Sequence, residues 1–322
     1  MSNYTAQSFW SKNKRGFIKE EAIYYENTSQ EILIKSLYSG ISYGTEKIVF
    51  DCKVPENQKS LMKAPHQVGE FNNEIKYGYM NVGKIIDGPS NLKGKKVYTM
   101  YPHQSLYAIK INQASTIPNN LPIKRALLTA NMETAINAVW DSKPTIGDNV
   151  YVIGAGIVGL LTGYVLSKII GVNVTVIDNN INKKELVLSL NMNFSSKINI
   201  INRPDIIYEC SGNTKVLSDI IKFTDLETKV CILSWYGDQV SKINMGENCF
   251  SKRIKFIFSQ VSNISAYKAK KWDNESRRAL ALRLLCDNKL DLLLDKKEIT
   301  IDEISNFLKS NNKDGLCKIV RY

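Results

Sequence analysis

Residues 149–159 have the sequence NVYVIGAGIVG, in which an apolar run leads directly into three glycines spaced as GxGxxG. This arrangement is typical of a buried strand that turns sharply into a helix. Gly154 permits the tight turn, Gly156 lets the backbone approach a pyrophosphate, and Gly159 allows the helix to pack closely on the strand. Because the first turn of a helix offers free N–H groups to phosphates, the stretch predicts a dinucleotide site.

An acidic residue completes this signature. Asp178 follows the next predicted strand and lies 19 residues after Gly159. An acid at this distance accepts hydrogen bonds from both ribose hydroxyls of NAD and repels the 2′-phosphate of NADP. Lys183 and Lys184 follow closely, so NAD is preferred and NADP stays the alternative. The predicted cofactor-binding residues of this region are Gly154, Gly156, Ile157, Val158, Gly159, Asp178 and Asn179.

The rest of the chain divides into regions with different patterns. In the first third, short apolar segments such as residues 31–38 are separated by Gly, Pro, Asn and Asp, which predicts strands and turns. From about residue 131 to residue 261, predicted strands alternate with helical stretches, as in the βαβ units of a parallel sheet. The last sixty residues are predicted to hold helices near 276–287 and 301–309 and a final strand at 317–321.

Composition excludes several classes of function. The 322 residues include 43 Lys and Arg against 31 Asp and Glu, a net charge of +12, but the lysines are spread along the chain. We interpret this charge as a solvated surface and expect no nucleic acid partner. The six cysteines lie far apart, which excludes CxxC zinc motifs, and the N-terminal residues lack the apolar core of a secretory signal. We therefore expect a protein of the reducing cytoplasm.

One uncharged stretch, residues 150–166, has the composition of a membrane segment. A span needs about 20 apolar residues, whereas this stretch is shorter and contains four glycines. Because its glycines are those of the nucleotide turn, we expect no membrane partner.

Further motifs occur in an order that resembles one enzyme superfamily. They are SGISYGTE at 39–46, KYGYMNVG at 76–83, LTANMETAIN at 128–137, YECSG at 208–212 and DNKLD at 287–291. The set is similar to the medium-chain dehydrogenase/reductase superfamily, which includes the zinc-type alcohol dehydrogenases. The SGIS-x-GTE form is similar to the bacteriochlorophyllide dehydrogenase-type branch.

The resemblance covers nearly the whole chain and implies an α/β fold. It implies a GroES-like, β-rich catalytic domain over residues 1–131 that is completed by the returning segment 263–322. It also implies a Rossmann domain, with a doubly wound parallel sheet, over residues 132–262.

The zinc positions of the superfamily are not filled by zinc ligands here. Zinc-dependent members hold the metal with a Cys, a His and a third Cys or Asp, and the corresponding places hold Ser42 or Tyr43, then Tyr79, then approximately Ala130. The acid that follows the His in the superfamily is replaced by Met80. No cysteine lies between positions 52 and 210, so the structural zinc lobe is also missing. The resemblance therefore implies a member without zinc.

Without a metal, hydrogen-bond donors or a general acid must stabilise charge on a substrate oxygen. The resemblance places Tyr43, Glu46 and Tyr79 around the cleft, and we expect Tyr79 to be the proton donor or oxyanion partner. The two histidines, His66 and His103, both occur in the tripeptide PHQ. Each is a candidate catalytic residue, with a surface or turn histidine as the alternative.

The resemblance also implies further cofactor contacts and an assembly. Thr134 would pack against nicotinamide, Ser211 would end the fourth strand, and Ser234 and Trp235 would follow the fifth. Ser259 would lie in the sixth strand, at 254–261, which is expected to pair across a two-fold axis and form a homodimer.

These expectations define one function and its alternatives. We expect a zinc-independent, NAD(P)-dependent oxidoreductase that transfers a hydride between nicotinamide and an alcohol or carbonyl, with a small polar or ring-bearing substrate. The alternatives are an NADPH-dependent enone or quinone reductase and a catalytically silent NAD-binding sensor.

Overall fold

The computed structural model describes residues 2–198, 203–310 and 314–322, and this part of the chain forms an α/β protein. The first strands are β1 (Ser2–Lys12), β2 (Arg15–Tyr25), β3 (Glu31–Ile41), β4 (Val68–Gly69), β5 (Ile75–Lys76), β6 (Asn81–Asp87), β7 (Lys96–Thr99), β8 (Leu106–Lys110) and β9 (Ala114–Thr116). The later strands are β10 (Asn149–Ile153), β11 (Asn173–Ile177), β12 (Asn193–Ser195), β13 (Ile206–Glu209), β14 (Lys229–Ile232), β15 (Lys255–Phe258), β16 (Ile299–Thr300) and β17 (Lys318–Arg321).

The helices connect these strands and close the chain. The α-helices are α1 (Tyr43–Phe50), α2 (Thr129–Ser142), α3 (Ile157–Ser167), α4 (Lys184–Ser189), α5 (Thr214–Ile220), α6 (Asn274–Leu284) and α7 (Ile304–Lys309). Short 3₁₀ helices occupy Glu56–Gln58, Ile111–Gln113, Arg125–Leu128, Ile181–Lys183, Ile221–Phe223, Asn288–Leu293 and Ile301–Glu303, and a π-type turn occupies Met245–Cys249.

The chain forms two compact units, which are described separately. Met1–Ala130 together with Arg278–Tyr322 make the first unit, and Asn131–Arg277 make the second. Residues 263–277 thus cluster with the second unit. The domain limits expected from the sequence, 1–131 with 263–322 and 132–262, stay a prediction of where independent domains begin and end.

The second unit contains the predicted parallel sheet. Among the described residues its strand order is β12-β11-β10-β13-β14-β15, and all pairs are parallel. This is the doubly wound order of a Rossmann domain, so that prediction is confirmed. The apolar side chains of the strands and of α5 form one core cluster, which includes Tyr151, Ile153, Ile207, Leu217 and Val230.

The first unit is built mainly from antiparallel strands. One sheet has the order β2-β1-β5-β4, and another has the order β16-β17-β3-β6-β7-β9, with β8 also pairing with β3. The carboxyl-terminal strand β17 lies antiparallel to β3, where Val320 is opposite Ser39. The predicted β-rich, GroES-like part of the fold is confirmed, and Arg278–Tyr322 belong to it.

Helix α1 begins where β3 ends, and this junction positions the candidate catalytic residues. Within the SGISYGTE motif, Ser42 stands at the helix N-cap position, and residues 43–50 are helical. Ile41 and Phe50 anchor the two sides of the junction in a core cluster with Phe9 and Ile304. Because both ends are buried, the side chains of the first helical turn have fixed positions.

The last strand of the parallel sheet is shorter than predicted. The sequence predicted a strand over 254–261, whereas β15 comprises Lys255–Phe258. Its neighbour β14 ends at Ile232, which pairs with Phe258, and the last bond between the two segments runs from the Ser259 N–H to the Ile232 carbonyl. Pairing, rather than apolar character, therefore sets the end of this strand.

Within the described residues, no helix is both long enough and apolar enough to cross a membrane.

Candidate active site

The turn between β10 and α3 needs its glycines for different reasons. Gly154 has φ +102°, a conformation that side chains rarely adopt, and an added Cβ would lie 3.0 Å from the Cys210 carbonyl. At Gly159 a Cβ would lie 2.0 Å from the carbonyl oxygen of Gly154. At Gly156, by contrast, nothing lies within 4 Å of the Cβ position. Two glycines are therefore required by packing, while the third leaves open space at the N-cap of α3, next to Ile157 and Val158.

Asp178 is held in one orientation at the carboxyl end of β11. Its Oδ2 accepts a hydrogen bond from the Ala155 N–H at 2.7 Å, and its Oδ1 accepts one from the Asn180 N–H at 2.8 Å. The carboxylate is half-buried, while the neighbouring Asn179 is exposed. The glycine turn and the acid are thus tied together by backbone hydrogen bonds, and the fixed carboxylate retains lone pairs for further donors.

A fully buried carboxylate that was not predicted from the sequence lies at the carboxyl end of β13, on the edge of the sheet where β11 also ends. Glu209 is 0% exposed and ends β13; its Oε1 accepts from the Ser211 N–H at 2.8 Å and from the Ser211 hydroxyl, and its Oε2 accepts from the Tyr236 hydroxyl at 2.5 Å. Burial and the Glu209 charge raise the pKa of Tyr236 well above its usual value. The only sequence signal was an acid directly before the CSG tripeptide. Glu209 holds the segments after β13 and β14 in place.

The remaining predicted cofactor residues of the second unit have mixed surroundings. The Ser234 hydroxyl accepts from the Gly212 N–H at 2.9 Å, on the same edge as Ser211. The Ser259 hydroxyl instead donates to Asp141 Oδ2 at 2.7 Å and is almost fully buried. Thr134 in α2 and Trp235 after β14 are half-buried.

In the first unit, a buried glutamate and a buried histidine form a direct contact. Glu46 Oε2 lies 2.9 Å from His103 Nε2, and the two side chains are 4% and 1% exposed. On the other side of the ring, Nδ1 lies 2.7 Å from the Ser39 hydroxyl, which is in turn 2.9 Å from the Tyr322 hydroxyl. Gly78 lies against the ring, because a Cβ there would be 3.1 Å from His103 Cδ2. The structure thus joins Glu46 and His103, which the sequence predicted separately.

Tyr79 lies close enough to Glu46 for the charge of Glu46 to change the pKa of the tyrosine. Ser42 and Thr45 hydrogen bond to the Tyr79 hydroxyl, and both bonds lower its pKa. Burial, followed by the negative charge of Glu46, outweighs them and raises the pKa of Tyr79 to about 12. The phenol is therefore protonated at neutral pH and can donate a hydrogen bond to another oxygen.

Two of the predicted catalytic residues lie elsewhere in the first unit. Tyr43 donates its hydroxyl to the Ser310 carbonyl at 2.6 Å and packs edge-on against Phe307. His66, in a left-handed conformation with φ +57°, packs against Tyr101 with ring centroids 4.9 Å apart. Burial, and to a smaller extent the charge of Lys76, lower the pKa of His66. A catalytic role for Tyr43 or His66 stays a prediction.

The resemblance drawn from the sequence puts Tyr43 and Tyr79 at places where zinc-dependent members hold the metal. Zinc in proteins is bound by Cys, His and carboxylate side chains. Among the described residues, no group of three or more His, Cys, Asp or Glu is arranged to hold a metal. Tyr43 and Tyr79, at the expected ligand positions, are engaged with Ser310 and with Ser42 and Thr45 respectively.

Ser39, Thr45 and Tyr322 were not predicted as site residues, for a physical reason. Tyr322 and Ser39 are 283 positions apart in the chain and meet only because β17 pairs with β3. Ser39 and Thr45 belong to the quoted SGISYGTE motif, which was the one available signal for them.

Compared by sequence, the chain matches no protein-family model and no curated protein. Solved structures are similar over the full length. A protein of Sinorhizobium meliloti 1021 assigned as a zinc-binding dehydrogenase and bound to NADP has a TM-score of 0.76 at 13% identity, over 99% of this chain and 100% of the other. A short chain alcohol dehydrogenase of E. coli CFT073 complexed with NADH has a TM-score of 0.74 at 14% identity, over 99% of both chains.

A third structure, the 2R,3R-butanediol dehydrogenase of Bacillus subtilis, has a TM-score of 0.72 at 16% identity, over 98% of this chain and 99% of the other. At these identities the similarity shows the fold. The chain has the two-part fold of these dehydrogenases, a β-rich part and a Rossmann part, and this confirms the fold expected from the sequence.

Proposed function

We propose that this protein is an NAD(P)-dependent oxidoreductase that transfers a hydride between nicotinamide and a small alcohol or carbonyl substrate without zinc. The observation that carries the proposal is the protonated Tyr79 hydroxyl, hydrogen-bonded by Ser42 and Thr45 and acted on by the charge of Glu46. In the resemblance drawn from the sequence, this tyrosine takes the place of a zinc ligand. The fold of dehydrogenases supports the reaction class, and the SGIS-x-GTE motif supports a zinc-lacking member similar to the bacteriochlorophyllide dehydrogenase type.

The second unit offers a fitting cradle for the cofactor. The open space at Gly156 and the N-terminus of α3 would take the pyrophosphate, and the fixed Asp178 carboxylate would accept the ribose hydroxyls. Ser211, Ser234 and Trp235 would line the adjoining edge, with Thr134 as a further contact. When bound, the nicotinamide supplies or accepts the hydride.

In the first unit, Tyr79 would bind the substrate oxygen. In the direction of reduction, its O–H donates to the carbonyl and then transfers its proton as negative charge develops there. The Ser42 and Thr45 hydroxyls stabilise the tyrosine oxygen in the charged state, because hydrogen bonds to an anion favour it. The negative charge of Glu46 disfavours the deprotonated tyrosine, so Tyr79 is readily protonated again before the next turnover.

We also propose that the protein forms a homodimer and is located in the cytoplasm. Phe258, on the last strand of the parallel sheet, is 74% exposed, which supports pairing of β15 with a second copy of the chain as a homodimer. All six cysteines are free, as expected for a cytoplasmic protein. The aromatic surroundings of Tyr79, which packs edge-on against Tyr77, support a polar or ring-bearing substrate.

A fluorescence titration with NADH and NADPH in parallel tests the cofactor assignment. We expect NADH to bind more tightly, and Asp178→Asn to remove about tenfold of this preference, or ~1.4 kcal/mol. The matched control is Asp219→Asn, which changes a carboxylate on α5 that pairs with Lys222. It should leave both affinities unchanged. Tighter binding of NADPH by the unmodified protein would contradict the role of Asp178.

A panel of alcohols and carbonyls tests the reaction class. Turnover with any member, with the cofactor reduced or oxidised in equal amount, supports the proposal. Binding of the nucleotide without turnover would instead favour a nucleotide-binding sensor, and reduction confined to conjugated double bonds would favour an enone or quinone reductase.

A further inference from the structure

Four side chains form an unbroken row of hydrogen bonds through the interior of the first unit. The Tyr322 and Ser39 hydroxyl oxygens are 2.9 Å apart, Ser39 Oγ is 2.7 Å from His103 Nδ1, and His103 Nε2 is 2.9 Å from Glu46 Oε2. Ser39 and His103 are almost completely buried, at 0% and 1% exposed. Inside a protein, each of these polar hydrogens must find an acceptor within the row.

Backbone donors occupy both ends of the row. The N–H of Gln104 donates to the Tyr322 hydroxyl oxygen, and the N–H of Ser42 donates to Glu46 Oε1 at 2.8 Å. These donors cannot be reversed, because a backbone N–H never accepts. The Tyr322 oxygen and Glu46 Oε1 therefore both accept hydrogen bonds from the backbone. This limits where the hydrogens of Tyr322, Ser39 and His103 can lie.

One arrangement satisfies every hydrogen. If His103 is neutral and carries its proton on Nε2, that N–H donates to Glu46, and Nδ1 accepts the hydroxyl proton of Ser39. The Ser39 oxygen then accepts the Tyr322 hydroxyl proton, and the Tyr322 oxygen accepts the N–H of Gln104. A carboxylate at Glu46 completes the row, and no donor is left over.

The other protonation states leave a group unsatisfied. A positively charged His103 would donate from Nδ1 to Ser39 and force the Ser39 proton onto Tyr322, whose own hydroxyl hydrogen then has no acceptor in the row. A neutral ring protonated on Nδ1 would turn the lone pair of Nε2 toward the Glu46 carboxylate. The hydrogen-bond count therefore selects among states that the heavy-atom positions alone do not distinguish.

We propose that Ser39 is a positioning residue that holds His103 as the neutral ring protonated on Nε2, and that Glu46 is thereby kept as a carboxylate beside Tyr79. In this arrangement the Tyr322 hydroxyl donates to the Ser39 oxygen, and the Ser39 hydroxyl donates to Nδ1 of the ring. The consequence for turnover rests on the proposed function, since it concerns the charge that acts on Tyr79. The protonation state itself does not depend on that function.

The groups that face this row come from several elements. Glu46 on α1 is the charged group in contact with His103, and Phe9 on β1 packs edge-on against the ring. Tyr322 follows β17, and the thiol of Cys317 lies near enough to Glu46 to interact with its charge. Glu46 contacts Nε2 and Ser39 contacts Nδ1, so Ser39 is the group that acts on the second nitrogen of the ring.

Nitrogen NMR on histidine-labelled protein tests the proposal without any substrate. The chain has only two histidines, and the variant His66→Gln assigns the signals. We expect Nδ1 of His103 to have the shift of an unprotonated nitrogen at pH 7, and Nε2 the shift of a protonated one. Two protonated nitrogens, or protonation on Nδ1 alone, would overturn the proposal in the unmodified protein.

Variants separate positioning from a general structural role. In Ser39→Ala at pH 7 we expect the Nδ1 signal of His103 to move toward the shift of a protonated nitrogen, because the hydroxyl donor to Nδ1 is lost, and Ser39→Thr, which keeps the hydroxyl, should restore it. Tyr322→Phe should leave the ring neutral, because Ser39 still has Nδ1 as its acceptor. Tyr208→Phe, which removes a buried hydroxyl paired with Ser142 in the other unit, controls for stability changes. An unchanged Nδ1 signal in Ser39→Ala would overturn the assigned role.

A parallel NADH titration distinguishes this inference from the proposed function. If NADH binds but His103 is charged, the inference fails and the proposed function stands. If His103 is neutral and protonated on Nε2 but no nucleotide binds, the proposed function fails while the state of the row is correct.

Discussion

The two candidate sites in this molecule are built in different ways. In the second unit, the nucleotide site consists mainly of backbone: the glycine turn at 154–159, the start of α3 and two N–H groups that fix Asp178. In the first unit, the candidate catalytic site consists of side chains from four segments, with Ser39, Glu46, His103 and Tyr322 in one row. A backbone site depends on local conformation, whereas a side-chain site depends on the packing of distant segments.

Substitution of the turn glycines should break the backbone site most severely. In Gly159→Ala the new methyl group would lie 2.0 Å from the Gly154 carbonyl oxygen, so the strand–helix turn must shift. We expect the free energy of unfolding to fall by about 3 kcal/mol, measured by chemical denaturation.

Gly156→Ala is the matched control for that variant, because its Cβ would meet nothing within 4 Å. Its cost in stability should be about 1 kcal/mol or less, yet NADH affinity should fall at least about tenfold as the methyl enters the space assigned to the pyrophosphate. Full affinity in Gly156→Ala would place the pyrophosphate elsewhere.

Removal of one hydroxyl should break the side-chain site without harming the fold. In Tyr79→Phe we expect turnover to fall about 10²-fold, or ~2.7 kcal/mol, while NADH affinity stays unchanged. The reason is that the phenol is proposed to bind the substrate oxygen, whereas the glycine turn is proposed to bind the nucleotide. Steady-state kinetics on a substrate from the panel provide the measurement.

The matched control is Tyr107→Phe, which removes a buried hydroxyl bound to Thr99 and Asn81 in the same unit. It should retain turnover to within a few-fold. Equal losses in the two variants would show that Tyr79 acts through stability rather than through the substrate.

The smallest expected effect concerns His66, which packs against Tyr101. Burial and the charge of Lys76 lower its pKa in the folded protein, so the unfolded chain binds more protons as pH falls through about 6.5. Stability should therefore decrease slightly on acidification in this range, and His66→Gln should remove that part of the decrease. The midpoint of the His66 signal in a proton NMR titration should lie below 6.5; a midpoint at or above this value would contradict the assigned cause.

The difference between the sites explains which residues the sequence revealed. The alternation of strands and helices of the parallel sheet and the required glycines at 154 and 159 follow from short-range patterns, and the structure has them. Glu46 and His103 were candidates because of their motifs, but nothing in the sequence indicated that they touch. Glu209 went unnoticed because a buried acid at the end of a strand has no periodic signature.

Tyr43 and His66 were also candidates because of their motifs, but the structure places their side chains against other residues. Tyr43 belongs to the same motif as Glu46, but a helix begins at that point and turns its side chain toward Ser310 and Phe307. His66 has the same flanking residues as His103, yet it packs on Tyr101 in a left-handed turn. Motif membership fixes a place along the chain, while the direction of a side chain depends on the element that carries it.

The sequence by itself determined the parallel sheet, the glycine turn and the acid at position 178, because each depends on residue types at short spacing. Only the tertiary structure decided that Tyr322 reaches Ser39, that Glu46 contacts His103 and that Glu209 joins two neighbouring loops. These contacts arise from strand pairing and burial between segments up to 283 positions apart. Their energies depend on which polar groups are desolvated together, and local sequence carries no record of that.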